Sequence, residues 1–195
     1  ESWLTVKGNQ DRALHEATDE RLQRNPTLAF VVSEVGREGV EWCQALPATA
    51  ELEDVLLCHG TPASDEGLLL EEVESGYPRL REPAKVREDL EAYASATLVL
   101  CGHTHLPRAV QLPGGPLVVN PGSVGLPAYD HDVPCFHRME SGSPHASYAI
   151  AERRGGGPWS VEHFRIPYPH EEAARRAGEL GRPDWQKWIR TGFAR

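Results

Sequence analysis

The chain has 195 residues, 39% of them hydrophobic and 25% charged, which is enough for one domain with a hydrophobic core. Its formal net charge of −9 argues against nucleic acid as a partner, and no apolar run is long enough to span a membrane. Four cysteines lie far apart, without a Cys-x-x-Cys pair: Cys43, Cys58, Cys101 and Cys135. We therefore expect reduced thiols in a soluble, cytoplasmic protein.

The first hundred residues alternate between strand and helix patterns. Residues 3–7 are predicted to form a short strand that stops at Gly8. Residues 12–24 have helical spacing up to Asn25-Pro26, where proline blocks continuation. The other elements predicted in this half are the end of a helix at 39–46, a β-rich run at 54–62, a helix at 83–96, and a strand followed by a loop at 96–107.

Strand patterns dominate the second half, and a helical tail follows them. The predicted strands, bounded by Gly and Pro, are 108–112, 115–120, 146–152 and 157–168. Residues 125–147 have no clear periodicity and are predicted to form a long substrate-side or interface loop. A helix is expected at about 170–194, with an apolar stripe of Trp185, Trp188 and Ile189. This order of elements predicts a single mixed α/β domain over 1–195, rather than a helical bundle or an all-β sandwich.

Polar residues of the types that bind metals follow three of the predicted strands. Asn9 and Asp11 follow the first strand, His59 follows the second, and His103 and His105 follow the third. Loops at the carboxyl ends of strands converge on the ligand crevice of an α/β sheet, so these side chains are expected to meet. Imidazole nitrogens with amide or carboxylate oxygens suit borderline divalent ions. Taken singly, His59 would be a structural histidine, and Asn9 and Asp11 would cap a helix.

Four segments, taken in chain order, resemble the signature of the calcineurin-like metallophosphoesterases. They are GNQD (8–11), HG (59–60), GHTHLP (102–107) and NPGSVG (120–125). The likeness is to their small bacterial phosphatase and phosphodiesterase branch, and it covers residues 6 to about 152. It implies a mixed α/β fold with a four-layer β-sandwich flanked by helices. It also implies two divalent metal ions: Asn9, His59 and His103 would bind one, and His105 the other. Mn²⁺ is the expected metal, with Fe, Zn, Ni or Co as alternatives.

Two motifs of that family are missing from the sequence. The Asp-x-His and Gly-Asp-x-x-Asp motifs supply most ligands of the first metal and the carboxylate that bridges both ions. Neither precedes Trp3, and residues 130–132 have the Asp-x-His letters only out of order. Because residues 3–7 look like the family's third strand, we expect the sequence to be truncated by a βαβ-sized unit of about 30 residues or more.

Gln10 is a further departure, because the family usually has histidine at this position. The resemblance implies that the family's histidine contacts the phosphoryl oxygens and the leaving group, and that the aspartate at the position of Asp11 orients it. Glutamine can donate a hydrogen bond but cannot deliver a proton at neutral pH. Gln10 and Asp11 are therefore candidate catalytic residues of an enzyme that prefers leaving groups departing without protonation. Capping of the following helix is the alternative role for Asp11.

The function implied by the resemblance is hydrolysis of phosphate mono- or diesters by attack of a hydroxide that bridges two metal ions. The partner would then be a small phosphorylated substrate. A non-catalytic metallophosphoesterase-like binding or regulatory module is the alternative, whereas a structural zinc site would need paired cysteines. The other histidines are expected on the surface or in loops, and His131 and His137 are candidate substrate contacts in the 125–147 loop.

Overall fold

The computed structural model describes residues 3–195, which form helices around a central sheet with smaller hairpins. The α-helices are α1 (Asn9–His15), α2 (Asp19–Arg24), α3 (Pro26–Ala45), α4 (Pro83–Asp89), α5 (His170–Glu179) and α6 (Pro183–Thr191). The strands are β1 (Thr49–Leu52), β2 (Val55–Cys58), β3 (Glu71–Glu72), β4 (Arg79–Leu80), β5 (Leu98–Leu100), β6 (Arg108–Gln111), β7 (Leu117–Asn120), β8 (Ala128–His131), β9 (His137–Glu140), β10 (Ala146–Arg153) and β11 (Trp159–Ile166).

The central sheet has five strands in the order β1-β2-β5-β7-β6. Its three inner strands are parallel, and β1 and β6 pair antiparallel at the two edges. The inner strands end at Cys58, Leu100 and Asn120, so the loops that follow them lie side by side at one edge. The predicted mixed α/β class is therefore confirmed, and this edge brings together segments that are distant in sequence.

Apolar side chains of the inner strands form the main core together with α4. Val99 and Val118 have no exposed surface, and Val86 of α4 is 1% exposed. Each fully buried Val or Leu side chain contributes about 1.5–3 kcal/mol relative to an exposed one. Burial on both faces explains why these strands are continuous apolar runs instead of alternating patterns. The sheet is thus a rigid base for the loops at its carboxyl edge.

The C-terminal third adds a long hairpin and two helices. Strands β10 and β11 pair antiparallel over all eight residues, and Arg153 at the end of β10 forms an ion pair with Asp54. The predicted helical tail is present but divides at Gly181 and Pro183 into α5 and α6, and Trp188 of α6 is buried against Ala128 of β8. None of the helices described in residues 3–195 has the length and apolarity needed to cross a bilayer.

Two predictions about the N-terminal region are wrong. Residues 3–7 form no strand. The Lys7 N–H donates to the carbonyl of Pro47 at 2.7 Å, and Pro47 has no N–H with which to return a bond. The helix predicted over 12–24 is two helices, because α1 ends at His15 and Thr18 caps α2 by accepting from the N–H of Arg21. The predicted end of a helix at 39–46 is the last part of α3, which bends at Gly36.

The 125–147 segment is not a simple loop, because it contains the hairpin β8-β9. Its register pairs Tyr129 with Met139 and His131 with His137. Met139 is fully buried and His137 is 1% exposed, so the expectation of His137 as a surface or loop residue is wrong. Its imidazole lies between the rings of Tyr129 and His131 and bonds through Nδ1 to the carbonyl of Cys135 at 2.8 Å. Packing against the rest of the domain orders this hairpin, which local periodicity did not reveal.

Candidate metal centre

Asn9 and His59 meet although 50 positions separate them in sequence. Asn9 begins α1, His59 follows β2, and Asn9 Oδ1 lies 3.1 Å from His59 Nε2. Gly8 makes this approach possible, because a Cβ there would lie 2.8 Å from both Cε1 and Nδ1 of the His59 ring. An amide oxygen and an imidazole nitrogen are both donors for a borderline divalent ion, and the structure places them together.

The loop after β5 carries the other two histidines in an unusual backbone conformation. His103 and His105 have φ values of 62° and 59°, in the left-handed region that non-glycine residues rarely adopt. The His103 ring centroid lies 5.4 Å from that of His59, edge to face. The His105 ring instead packs edge to face on Tyr129, with centroids 5.2 Å apart. His103 therefore joins Asn9 and His59, and His105 contacts the β8-β9 hairpin.

Asn120, the last residue of β7, fixes this loop. Its amide nitrogen donates to the carbonyl of Gly102 (2.6 Å) and to the hydroxyl of Thr104 (3.0 Å). Its amide oxygen accepts from the N–H of Gly122 at 2.9 Å. All the polar atoms of this buried side chain are used in holding backbone turns. Asn120 is thus a structural clamp of the 102–105 loop, a role that the sequence pattern did not assign to it.

A hydrogen bond to the backbone determines which ring nitrogen of His105 is free to bind a metal. Its Nδ1–H donates to the carbonyl of Leu126 at 2.7 Å, which leaves Nε2 with its lone pair. The backbone at Leu126 is itself held, because its N–H donates to Ser123 Oγ at 3.1 Å. A carbonyl partner on one ring nitrogen is the usual arrangement for a metal-binding histidine.

Burial keeps the three imidazoles uncharged. It lowers the pKa of His59 and His105, and it lowers the pKa of His103 to about 4. Repulsion from His59, His105 and His131 lowers the pKa of His103 further. All three rings are therefore neutral at pH 7, the form in which histidine binds metals.

Gln10 and Asp11 have different environments. Gln10 is exposed on the first turn of α1, next to Asn9. Asp11 Oδ2 accepts from the N–H of Gly8 at 2.8 Å, and Oδ1 accepts from the thiol of Cys43 at 3.7 Å. Of the two roles considered for Asp11, the structure shows the capping one.

An ion-pair network lies beside α1. Arg12 Nε contacts Asp65 at 2.7 Å, and its terminal nitrogens contact Glu16 and Glu66. These partners, Asp65 first, raise the pKa of Arg12, so its charge is already neutralised by carboxylates. The residues that sequence reasoning missed here are Asp65, Asn120 and Tyr129. The ion pairs come from segments far apart in sequence. Asn120 belongs to the signature segment NPGSVG, but the sequence did not indicate that its side chain holds the 102–105 loop.

The donor set suits one divalent ion and part of a second. Asn9, His59 and His103 offer one oxygen and two neutral nitrogens, and three protein ligands with open positions are typical of catalytic zinc sites. His105 offers a single donor to another ion. Within residues 3–195, no group of three or more His, Cys, Asp or Glu side chains is placed to hold a metal. Asn9, His59 and His103 are the side chains that would hold a metal at this edge of the sheet.

Comparison with known proteins gives a consistent result. A family model described as the calcineurin-like phosphoesterase superfamily domain matches residues 1–143. A metallophosphoesterase from Sphaerobacter thermophilus has a similar structure, with a TM-score of 0.68, 19% identity, and coverage of 96% of this chain and 76% of that one. Hypothetical protein PH1004 from Pyrococcus horikoshii OT3 is also similar, with a TM-score of 0.70, 16% identity, and coverage of 97% and 73%. No curated protein sequence matches.

Proposed function

Because this chain belongs to the calcineurin-like phosphoesterase superfamily, we propose that it is a binuclear metal-dependent hydrolase of phosphate mono- or diesters. The family supports a general phosphoesterase function and the use of divalent metals. The observation that carries the proposal is the meeting of Asn9, His59 and His103 at the carboxyl edge of the sheet, with the first two donor atoms 3.1 Å apart. An amide oxygen and two neutral imidazoles brought together by the ends of separate segments offer the donor types that a borderline divalent ion binds.

The chain's own side chains have distinct roles in this proposal. Asn9, His59 and His103 would hold one ion, and His105 would contribute Nε2 to the other. When bound, divalent ions would supply a hydroxide nucleophile near neutral pH and would neutralise charge on the phosphoryl group. Mn²⁺ is the proposed metal, with Fe, Zn, Ni or Co as alternatives. The neutral imidazoles bind metal without first losing a proton, which favours binding at pH 7.

Gln10 shapes the substrate preference. Its amide is exposed beside Asn9, where its N–H groups can donate to a phosphoryl oxygen. It carries no proton that it could give to a departing alkoxide, and the Asp11 carboxylate is engaged in the cap. The proposed substrates are therefore small phosphate esters whose leaving groups are stable as anions, such as aryl esters.

Metal content and hydrolysis test this function together. The metal per chain is measured by elemental analysis on protein of known intact mass, and p-nitrophenyl phosphate and bis-p-nitrophenyl phosphate are assayed with Mn²⁺ and with chelator. We expect bound metal and hydrolysis that chelator abolishes. His59→Ala and His103→Ala should lose both, while the matched control His170→Ala, outside the candidate site, should keep both. Absence of metal and of hydrolysis in the wild-type protein would instead support the binding or regulatory module.

A further inference from the structure

Tyr129 lies in β8 and belongs to none of the segments that resemble the family signature. Its hydroxyl donates to the backbone carbonyl of His103 at 3.2 Å. Its ring packs edge to face on the imidazole of His105, with centroids 5.2 Å apart. One side chain of the β8-β9 hairpin therefore contacts both histidines of the loop after β5, each through a different part of the phenol.

The backbone of that loop depends on its surroundings. Both of its histidines have positive φ, a conformation that persists in non-glycine residues only when neighbouring contacts impose it. Asn120, at the end of β7, bonds to the carbonyl of Gly102 and to the hydroxyl of Thr104. The bond from Tyr129 ends on the carbonyl between them, that of His103. Successive residues of the loop are thus held from two different strands.

Tyr129 is itself held by the hydrophobic core. Its cross-strand partner is Met139, which has no exposed surface. Its ring packs against the apolar cluster that contains Met139, Val73 and Leu106, and also against the cluster that contains Trp188. Side chains packed in this way keep one rotamer, so the phenol has a fixed position relative to the loop.

A tyrosine packed in a core usually finds a partner for its hydroxyl, so the bond alone would not indicate a role. Tyr129 differs because its two contacts fall on the two residues that carry candidate metal donors. These are His103, which lies beside His59, and His105, which is proposed to bind the other ion. A shift of Tyr129 would therefore disturb both proposed metal positions at once.

We propose that Tyr129 is a positioning residue whose hydroxyl fixes the backbone of His103 and whose ring fixes the orientation of His105. The metal-binding part of this inference rests on the proposed function. Because the two histidines are proposed to bind different ions, one tyrosine would set the position of the two ions relative to each other. Loss of either contact would loosen the loop while leaving every proposed ligand in the sequence.

Two substitutions separate the two contacts. Tyr129→Phe removes only the hydroxyl, and Tyr129→Leu removes the ring as well. Tyr148→Phe and Tyr148→Leu are the matched controls, because Tyr148 is exposed on β10, where it stacks on Phe164. Binding of Mn²⁺ alone is measured by titration, together with the Tm of each variant. Hydrogen exchange of the 101–106 segment and the tautomer of His105, observed by NMR, are measured in metal-free protein and do not depend on the proposed function.

We expect Tyr129→Phe to weaken Mn²⁺ binding about 10-fold and to speed exchange of the 101–106 segment, while His105 keeps its Nδ1–H tautomer. Tyr129→Leu should weaken Mn²⁺ binding about 100-fold and give a mixture of both His105 tautomers, because the imidazole loses the ring it packs on. The Tyr148 variants should bind Mn²⁺ within about twofold of wild type. A merely structural role for Tyr129 would lower the Tm without changing the tautomer or the metal affinity of the folded protein.

Wild-type exchange of the 101–106 segment in Tyr129→Phe, or a single Nδ1–H tautomer of His105 in a folded Tyr129→Leu, would overturn the positioning role. Wild-type Mn²⁺ affinity in either folded variant would also overturn it. If Tyr129→Leu fails to fold, exchange and Mn²⁺ affinity in Tyr129→Phe decide. If the wild-type chain binds no Mn²⁺, the proposed function fails, and exchange and tautomer then decide the inference separately.

Discussion

Replacing Gly8 with alanine tests how closely the backbone before α1 must approach the His59 ring. The added Cβ would lie 2.8 Å from Cε1 and Nδ1, whereas ordinary contact begins at 3.4 Å, so the ring must retreat by about 0.6 Å. The Gly8 backbone, with φ of −98°, accepts alanine without strain, so the clash is the main perturbation. Metal ligands need to be held within about 0.5 Å of their working geometry. Displacement of His59 from Asn9 should therefore impair binding of the ion they are proposed to share.

The expected result is a fall in kcat/KM of about 10- to 100-fold for p-nitrophenyl phosphate with Mn²⁺, and weaker Mn²⁺ binding. Gly125→Ala is the control, because a Cβ at Gly125 meets no atom within 4 Å. Alanine is also a poorer N-cap than glycine, so the Tm should fall slightly in Gly8→Ala. Wild-type kcat/KM and Mn²⁺ affinity in a folded Gly8→Ala protein would refute the proposed pairing of Asn9 and His59 on one ion.

Three further predictions follow from the same environments. Gln10→His should raise the rate for alkyl phosphates about 10-fold or more relative to aryl phosphates, because it adds a proton donor. The same ratio of alkyl to aryl rates in the wild type and the variant would contradict this, and His131 would be the next side chain to replace. Asp11→Ala should lower the free energy of unfolding by about 0.5–2 kcal/mol in a denaturant titration, because the N–H of Gly8 loses its acceptor; unchanged stability would exclude the cap. Arg153 and Thr97 lower the pKa of Asp54 from 3.8 to about 2, so the stability it provides is present above pH 3.8 and is lost as the pH falls through 2. Unfolding curves of wild type and Asp54→Asn should therefore differ most at pH 5 and approach each other as the pH falls to about 2, and a difference at about pH 2 as large as that at pH 5 would contradict the assignment.

The edge of the sheet that carries the candidate site was predictable because its strands have a strong local signal. The short apolar runs before His59 and His103, bounded by glycine and proline, indicated buried strands, and parallel pairing places both histidines at one edge. Asn9 joins them at the start of α1. The chemistry of these side chains, with the order of the segments, was enough to indicate the family.

Features created by contacts between distant segments could not be predicted. Residues 3–7 have a strand-like composition, but whether they pair depends on the partner, and Pro47 offers no N–H. His137 lies in a segment without periodicity and is buried only because the hairpin packs against the domain. Glu71 sits in a two-residue strand, too short for any pattern. Each of these outcomes depends on tertiary contacts, which local propensity does not record.

In the sequence His103-Thr104-His105, the two histidines carry nitrogen donors, and Thr104 makes a hydrogen bond that holds the loop. Glycine at positions 103 and 105 would take the left-handed conformation without strain, but it would supply no nitrogen donor. Histidine supplies the donor, and the strain is offset by bonds that end on the same loop: Asn120 to Gly102 and Thr104, Tyr129 to the carbonyl of His103, and His105 to Leu126. Because the middle residue is buried and bonded while its neighbours carry the donors, a change at Thr104 should resemble the loss of a ligand more than the loss of a surface contact.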